Sequence, residues 1–299
     1  MQIKRLIHKA YIIMLLFLLT GCQAFATPYV ASAITEETYT DLAYQYIITE
    51  PEPTLVLSVE STPVLYPAEA ENIPEEAEED YETEAEPPNI PVRIVAIDPG
   101  HQARGCNIRE LNGPGSDNRR ARVTSGTRGI ATGVPEYQLV LDVSKLLRDE
   151  LINRGYEVFM IRESHDVDIS NSERAMMATE AGADIFLRIH ADGSENQSAN
   201  GIMTISITGN NPYIPELYEQ SRALSDKILE GMVCATGARN RGVQERDDLT
   251  GSNWATMPVT VIEMGFMTNP EEDRLMQTLE YQLKLVEGMA NGVDLFFDQ

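Results

Sequence analysis

From Arg93 to the C-terminus, short apolar runs alternate with stretches whose apolar residues recur every three or four positions, predicting strands and helices in turn. Arg93 to Ile97 reads as a short apolar strand closing on Asp98-Pro99-Gly100. Pro135 suits a helix start; Leu139, Val143, Leu146, Leu147 and Leu151 follow at helical spacing, and Gly155 ends that helix. Val158 to Ile161 is the next strand. Ser170 with Glu173 makes a capping box for a helix that stops at Gly182. Asp184 to Ile189 is a strand of the buried type and Gly201 to Ile207 another. A helix from about Pro215 to Met232 presents Leu217, Leu224, Ile228 and Met232 on one side. Val259 to Ile262 is an apolar run typical of a central strand, and a last helix shows Leu283, Val286, Ala290, Val293 and Phe297 on one face. At least five strands interleaved with helices predict a single α/β domain over residues 93–299.

One stretch breaks the alternation. Gln102 to Val134 is polar, Gly-rich and longer than a usual connection, and such loops are functional or disordered. It carries Arg104, Arg109, Arg119, Arg120, Arg122 and Arg128 against only Glu110 and Asp117. Two readings stand: a basic loop suited to a substrate bearing carboxylates, or arginines that pair with the domain's own acids.

The N-terminal part follows other rules. Lys4, Arg5 and Lys9 precede an apolar run from Tyr11 to Leu19, too short for a comfortable membrane span, which reads as an export signal over residues 1–21. It ends in Leu19-Thr20-Gly21-Cys22, which resembles a bacterial lipobox and predicts lipidation of Cys22; Ala24-Phe25-Ala26 offers an ordinary cleavage site for a secreted form instead. Residues 27–92 hold 16 Asp and Glu and neither Lys nor Arg, so most of the net charge of −24 lies there. A segment so charged, rich in Glu, Pro, Ala and Thr, cannot bury enough apolar surface to offset its ordering entropy. Residues 22–92 therefore read as a disordered acidic tether. The acidic balance argues against nucleic acid as a partner.

Candidate chemistry concentrates at four polar positions, each where a predicted strand ends or a helix begins: His101, Glu136, His190 and Glu263. Two imidazoles and a carboxylate can hold a zinc ion with a fourth position left for water, and a second, unligated carboxylate can take that water's proton. His101 and His190 each terminate an apolar strand, so both would project from one edge of a parallel sheet. Glu263 ends the run Val259-Thr260-Val261-Ile262, and an ionised group beside a central strand must be paired or near a cation. A salt bridge to an arginine is the bland alternative. His165 has no comparable context, and Cys106, though near His101, is not needed to complete the set. Cys106 and Cys234 could pair only if they lie within bridging distance.

These motifs, in this order, resemble the zinc-dependent N-acetylmuramoyl-L-alanine amidases of the cell-wall hydrolase type. The matching segments are Asp98-Pro99-Gly100-His101, Glu136, His190-Ala191-Asp192 and Ile262-Glu263-Met264-Gly265-Phe266-Met267-Thr268-Asn269. Arg174 matches an arginine that the family carries, in a structural role, in the helix before the second histidine. The resemblance implies a mixed, mostly parallel twisted sheet of about six strands flanked by helices. It also implies one Zn²⁺ on His101, Glu136 and His190, with Glu263 catalytic, and peptidoglycan as substrate. The bond cut would join lactyl-muramic acid to the stem peptide's L-alanine. Arg128, Arg188 and Asn269 are candidate substrate contacts; Arg188 stands where the family commonly has a small or hydroxyl residue, and the loop after His101 is longer than the family's. Rival readings are another zinc amidohydrolase cutting inside the stem, or a non-catalytic wall-binding lipoprotein. With a lipid anchor the protein would face the wall from the membrane; a protein activator is conceivable from sequence but has no signature there.

Overall fold

The computed structural model describes residues 92–298. The export signal, Cys22 and the acidic tether lie outside the described residues. The element order is β1 (Ile94–Pro99), β2 (Cys106–Leu111), β3 (Arg119–Val123), α1 (Glu136–Asn153), β4 (Glu157–Met160), α2 (Asn171–Glu180), β5 (Ile185–Asp192) and β6 (Ile202–Ser206). After a 3₁₀ turn at Pro215–Leu217 come α3 (Tyr218–Thr236), β7 (Asn240–Glu245), α4 (Thr250–Asn253), β8 (Val259–Phe266), α5 (Pro270–Met276) and α6 (Leu279–Phe297).

Six strands form one sheet in the order β4-β1-β5-β8-β6-β7. The first four run parallel; β6 joins β8 antiparallel and carries β7 parallel to itself. Successive residues of a strand face opposite sides, and the core divides accordingly. Val95, Ile97, Leu187, Ile189, Ile262 and Met264 point to the side covered by α1, α3 and α6. Ala96, Phe186 and Val259 point to the other side, against Ala175 and Ala178 of α2 and Trp254. Continuing that second row toward the strand ends gives Asp98, then Arg188 and His190, then Val261 and Glu263. Helical cover stops short there, and the row opens into a cleft.

Local signals explain the helix limits. Pro135 occupies the N-cap of α1 in extended conformation, so Glu136 is its first residue. Ser170 and Glu173 form the reciprocal capping box at α2. Two predictions needed revision. The long polar stretch is not an open loop, because β2 and β3 pair as an antiparallel hairpin within it. Asn240–Glu245, polar except for Val243, forms an edge strand that the periodicity did not reveal. Among the described residues no helix is long and apolar enough to cross a membrane.

Candidate metal and acid–base site

The sharp turn after β1 places His101 in the left-handed region at φ 62°, the only non-glycine residue there among the described residues. Such a conformation costs free energy and persists only where the surroundings over-determine it. Two buried arginines do so. Arg162 donates to the carbonyls of Pro99 (2.8 Å) and Gly100 (3.0 Å). Arg174, fully buried, donates to those of Pro99 (3.0 Å) and His101 (2.9 Å) and to Asp98 Oδ1 (2.6 Å). Arg188 closes the other side of the same carboxylate, Nε to Oδ2 at 3.0 Å. Burial opposes the charge on Asp98, but the adjacent guanidinium groups of Arg174 and Arg188 override it and hold the carboxyl well below the usual carboxylate range. Burial, reinforced by the charge of Arg174, also draws Arg162 down to about 10.

Three ligand-type atoms converge beside this turn. His101 Nε2 lies 3.0 Å from Glu136 Oε1, His190 Nδ1 lies 3.2 Å from the same oxygen, and the two ring nitrogens are 3.1 Å apart. Zinc–ligand distances near 2.0–2.1 Å put the donors of a tetrahedral site about 3.3 Å apart, so this triangle has the size such an ion needs. The protonation pattern fits as well. His101 Nδ1 sits 3.0 Å from both the carbonyl and the hydroxyl of Thr124; with Nδ1–H donated to the carbonyl, which can only accept, Nε2 keeps its lone pair for the cluster. Burial pulls the His190 imidazolium down to about 4 against the opposing hydrogen bond with Glu136, leaving a neutral ring. Burial works against the charge of Glu136 too, yet hydrogen bonds with His101 and His190 keep its carboxyl well below the usual range. Glu136 is oriented by the N–H groups of Thr127 (to Oε2, 2.8 Å) and Ala191 (to Oε1, 3.2 Å). His101, Glu136 and His190 also form the one group of this kind among the described residues.

Close packing leaves no slack around these atoms. A Cβ on Gly100 would lie 2.3 Å from His190 Cε1. One on Gly126, whose φ is 77°, would lie 2.6 Å from Glu136 Oε2 and 2.8 Å from His101 Cδ2. The segment from Thr124 to Thr127 thus holds two ligands at once, by hydrogen bonds from either end and by closeness in the middle.

Glu263 sits directly across from His190 in the parallel β5–β8 register, so both side chains leave the same face at neighbouring positions. Its Oε2 is buried with no hydrogen-bond partner among the described residues, and no arginine bridges it there. Burial, together with the nearby charges of Glu136 and Asp192, pushes its carboxyl well above the ordinary value. All four residues line one cleft of about 430 Å³, shared with Asn171, Arg188, Asp192, Arg120, Arg246 and Asp248.

Of the other residues singled out from the sequence, Arg188 lines the cleft, but its guanidinium is engaged by Asp98 and by Asn171 Oδ1 at 3.1 Å. Arg128 donates to the Gly133 carbonyl, and Asn269 caps α5, accepting from the N–H of Glu271 (2.9 Å) and donating to Ala199 O (3.1 Å). Neither is among the residues lining the cleft. Cys106 stays out of the ligand group, and Cys106 and Cys234 form no bridge with each other. Arg162 and Gly126 escaped sequence reading: an arginine one residue past a strand and a glycine in a Gly-rich loop carry no distinguishing pattern.

Comparison with known proteins follows the same lines. Residues 95–294 match the family described as N-acetylmuramoyl-L-alanine amidase. The chain is 30% identical over 172 residues to the uncharacterised protein YqiI of Bacillus subtilis, covering 57% of this chain and 78% of that one. It is 27% identical over 219 residues to the N-acetylmuramoyl-L-alanine amidase Rv3717 of Mycobacterium tuberculosis, covering 70% of this chain and 88% of that one. The crystal structure of the amidase Ami1 from Mycobacterium smegmatis superposes with a TM-score of 0.63 at 24% identity, over 69% of this chain and 97% of that one, and so shares the fold.

Proposed function

This chain belongs to the family of N-acetylmuramoyl-L-alanine amidases, enzymes of peptidoglycan hydrolysis, and on that premise we propose a zinc-dependent reaction in which His101, Glu136 and His190 hold the metal and Glu263 moves the proton. The bond cut is the amide between the lactyl group of N-acetylmuramic acid and the L-alanine of the stem peptide. The observation that carries the reading is the triangle of donor atoms with 3.0–3.2 Å edges beside the unpartnered Oε2 of Glu263.

Zinc, when bound, supplies a Lewis acid that polarises the amide carbonyl and acidifies water. Glu263 then has two tasks. It accepts a proton from the attacking water as the new C–O bond forms, and it returns that proton to the alanine nitrogen as the C–N bond breaks. A carboxyl raised by burial holds a proton more firmly than an exposed one, which suits keeping it between the two steps. Asp98 with Arg162, Arg174 and Arg188 does no chemistry in this scheme; it keeps His101 in its strained turn.

Similarity to cell-wall amidases implies work outside the cytoplasm. The finer part of the reading is a lipid anchor on Cys22 and residues 22–92 as a tether, which hold the 93–299 domain at the membrane surface facing the wall. Metal analysis and product mapping on purified peptidoglycan test the whole. The expected result is one zinc per chain and glycan released with free lactyl groups. Glu263→Gln should keep the zinc and lose nearly all hydrolysis, whereas zinc-loaded Glu263→Gln with full activity refutes the assigned role. Fragments cut within the stem point to a peptidase instead, and intact wall to a binding protein.

A further inference from the structure

We propose that Arg120 and Arg246 form a subsite for a carboxylate of the stem peptide beyond the scissile alanine, occupied in the free enzyme by the side chain of Asp248. This rests on the amidase reading above and adds a determinant of which stem the enzyme prefers.

The two arginines come from separate elements and meet at the cleft. Arg120 belongs to β3 of the hairpin, and Arg246 follows β7 directly. Arg246 grips Asp248 with its fork, Nε to Oδ1 at 2.9 Å and Nη2 to Oδ2 at 3.0 Å. Arg120 Nη2 approaches the same Oδ2 at 3.7 Å. Two guanidinium groups share this one carboxylate, and the charge of Arg246 also faces Glu263 and Asp192 across the cleft. All three side chains line the cleft that holds Glu263 and the ligand triangle, and each is exposed to solvent by 40% or more. Both partners reach solvent, so an incoming carboxylate can exchange with Asp248 for the same fork. Planar, two-toothed capture of a carboxylate is the recognition chemistry to which arginine is best suited.

The arrangement is held in place from behind. Asp247, the neighbour of Asp248, accepts on its backbone carbonyl from Asn112 Nδ2 (3.0 Å) and Asn253 Nδ2 (2.9 Å). Trp254 Nε1 donates to Leu111 O (3.1 Å) at the end of β2. These bonds tie the backbone of the hairpin that presents Arg120 to that of the segment that presents Arg246, so the points from which the two side chains reach out are held before any ligand arrives. The rest of the cleft is rich in acid, with Glu136, Asp192 and Glu263, and would repel an anionic peptide. The arginine pair supplies the countervailing charge at a place where it also orients the leaving peptide.

The test uses the full-length, zinc-loaded enzyme and two soluble muropeptides that differ only in whether the residue after alanine carries a free or an amidated carboxyl. The readout is the ratio of kcat/KM for the free form over the amidated form. The wild type should favour the free form. Arg246→Gln and Arg120→Gln should each lower the ratio roughly tenfold, mainly through KM, about the weight of one charge-assisted hydrogen bond. Asp248→Asn, which removes the internal competitor, should raise it. A ratio that none of the three variants moves, or that Asp248→Asn lowers as the arginine variants do, overturns the subsite. A wild-type enzyme that frees no lactyl group from either muropeptide overturns the amidase reading, and the subsite with it.

Discussion

Gly126→Ala separates the demands of the backbone from those of the metal site. At φ 77° any L-residue carries a left-handed penalty of roughly 1–2 kcal/mol. Gly115, at φ 72° with nothing within 4 Å of where an alanine methyl would stand, should carry the same penalty and no other. The two alanine variants therefore share the backbone cost and differ in the steric one. At position 126 the methyl would sit 2.6 Å from Glu136 Oε2, against ordinary contact from 3.4 Å, so the carboxylate or the His101 ring must retreat by about 0.8 Å. Zinc sites tolerate only about ±0.2 Å in ligand distance. A displacement of that size should weaken zinc by roughly 10–100-fold, the range seen when groups orienting metal ligands are lost, or about 1.4–2.8 kcal/mol. Competition with a chromophoric chelator gives the affinity, and urea denaturation of metal-free protein gives the backbone cost. Gly126→Ala binding zinc as tightly as Gly115→Ala would refute the claim that the Thr124–Thr127 segment sets the ligand geometry.

Asp98→Asn should destabilise the domain by about 3 kcal/mol or more, because it leaves the charges of Arg174 and Arg188 buried with their acid gone. Since the folded-state pKa of Asp98 lies below its unfolded value, its contribution is complete above the ordinary carboxylate range and fades as pH falls through the folded value; the wild-type advantage in urea melts should shrink in strong acid and nowhere else. Asp273→Ala should loosen the approach to Glu136, since the buried carboxylate accepts from Ala131 N, Thr132 N and Thr132 Oγ1 at 2.7–2.8 Å; faster proteolysis near residues 129–134 is the expected sign, and an unchanged cleavage pattern argues against it. Deleting residues 27–92 while retaining 1–26 should spare hydrolysis of isolated wall but reduce it on intact cells, and equal activity on both would count against a tether.

The elements that read most clearly from sequence are those with one dominant cause. α1 carries unbroken apolar periodicity, α2 its capping box, and β5 and β8 largely apolar runs that a central position explains, whereas the face read for α6 is off by part of a turn, with Leu283 exposed and Leu285 and Met289 buried instead. The four chemical positions were legible because each interrupts such a run or opens such a helix. What escaped depends on partners distant in the chain. β7 exists because β6 offers a free edge, and β2–β3 because Asn112, Trp254 and Asp247 hold the hairpin down; neither has a strong pattern of its own. Arg162 gains its role at the turn from carbonyls more than sixty residues upstream. Asn269 illustrates a signal present but read otherwise: Asn-Pro-Glu-Glu is an N-cap with proline at the first helical position, and the side chain is spent on that task.

The pairing of His190 with Glu263 across β5 and β8 also governs timing. Every group at the centre arrives on a different segment, and they meet only after β1, β5 and β8 have found one another in correct register. A slip of a single residue would turn Glu263 to the opposite side of the sheet. A partly folded chain therefore holds no centre able to cut, however much local helix it has formed. The long-range pairing of β1, β5 and β8, more than local helix formation, is thus what assembles the centre.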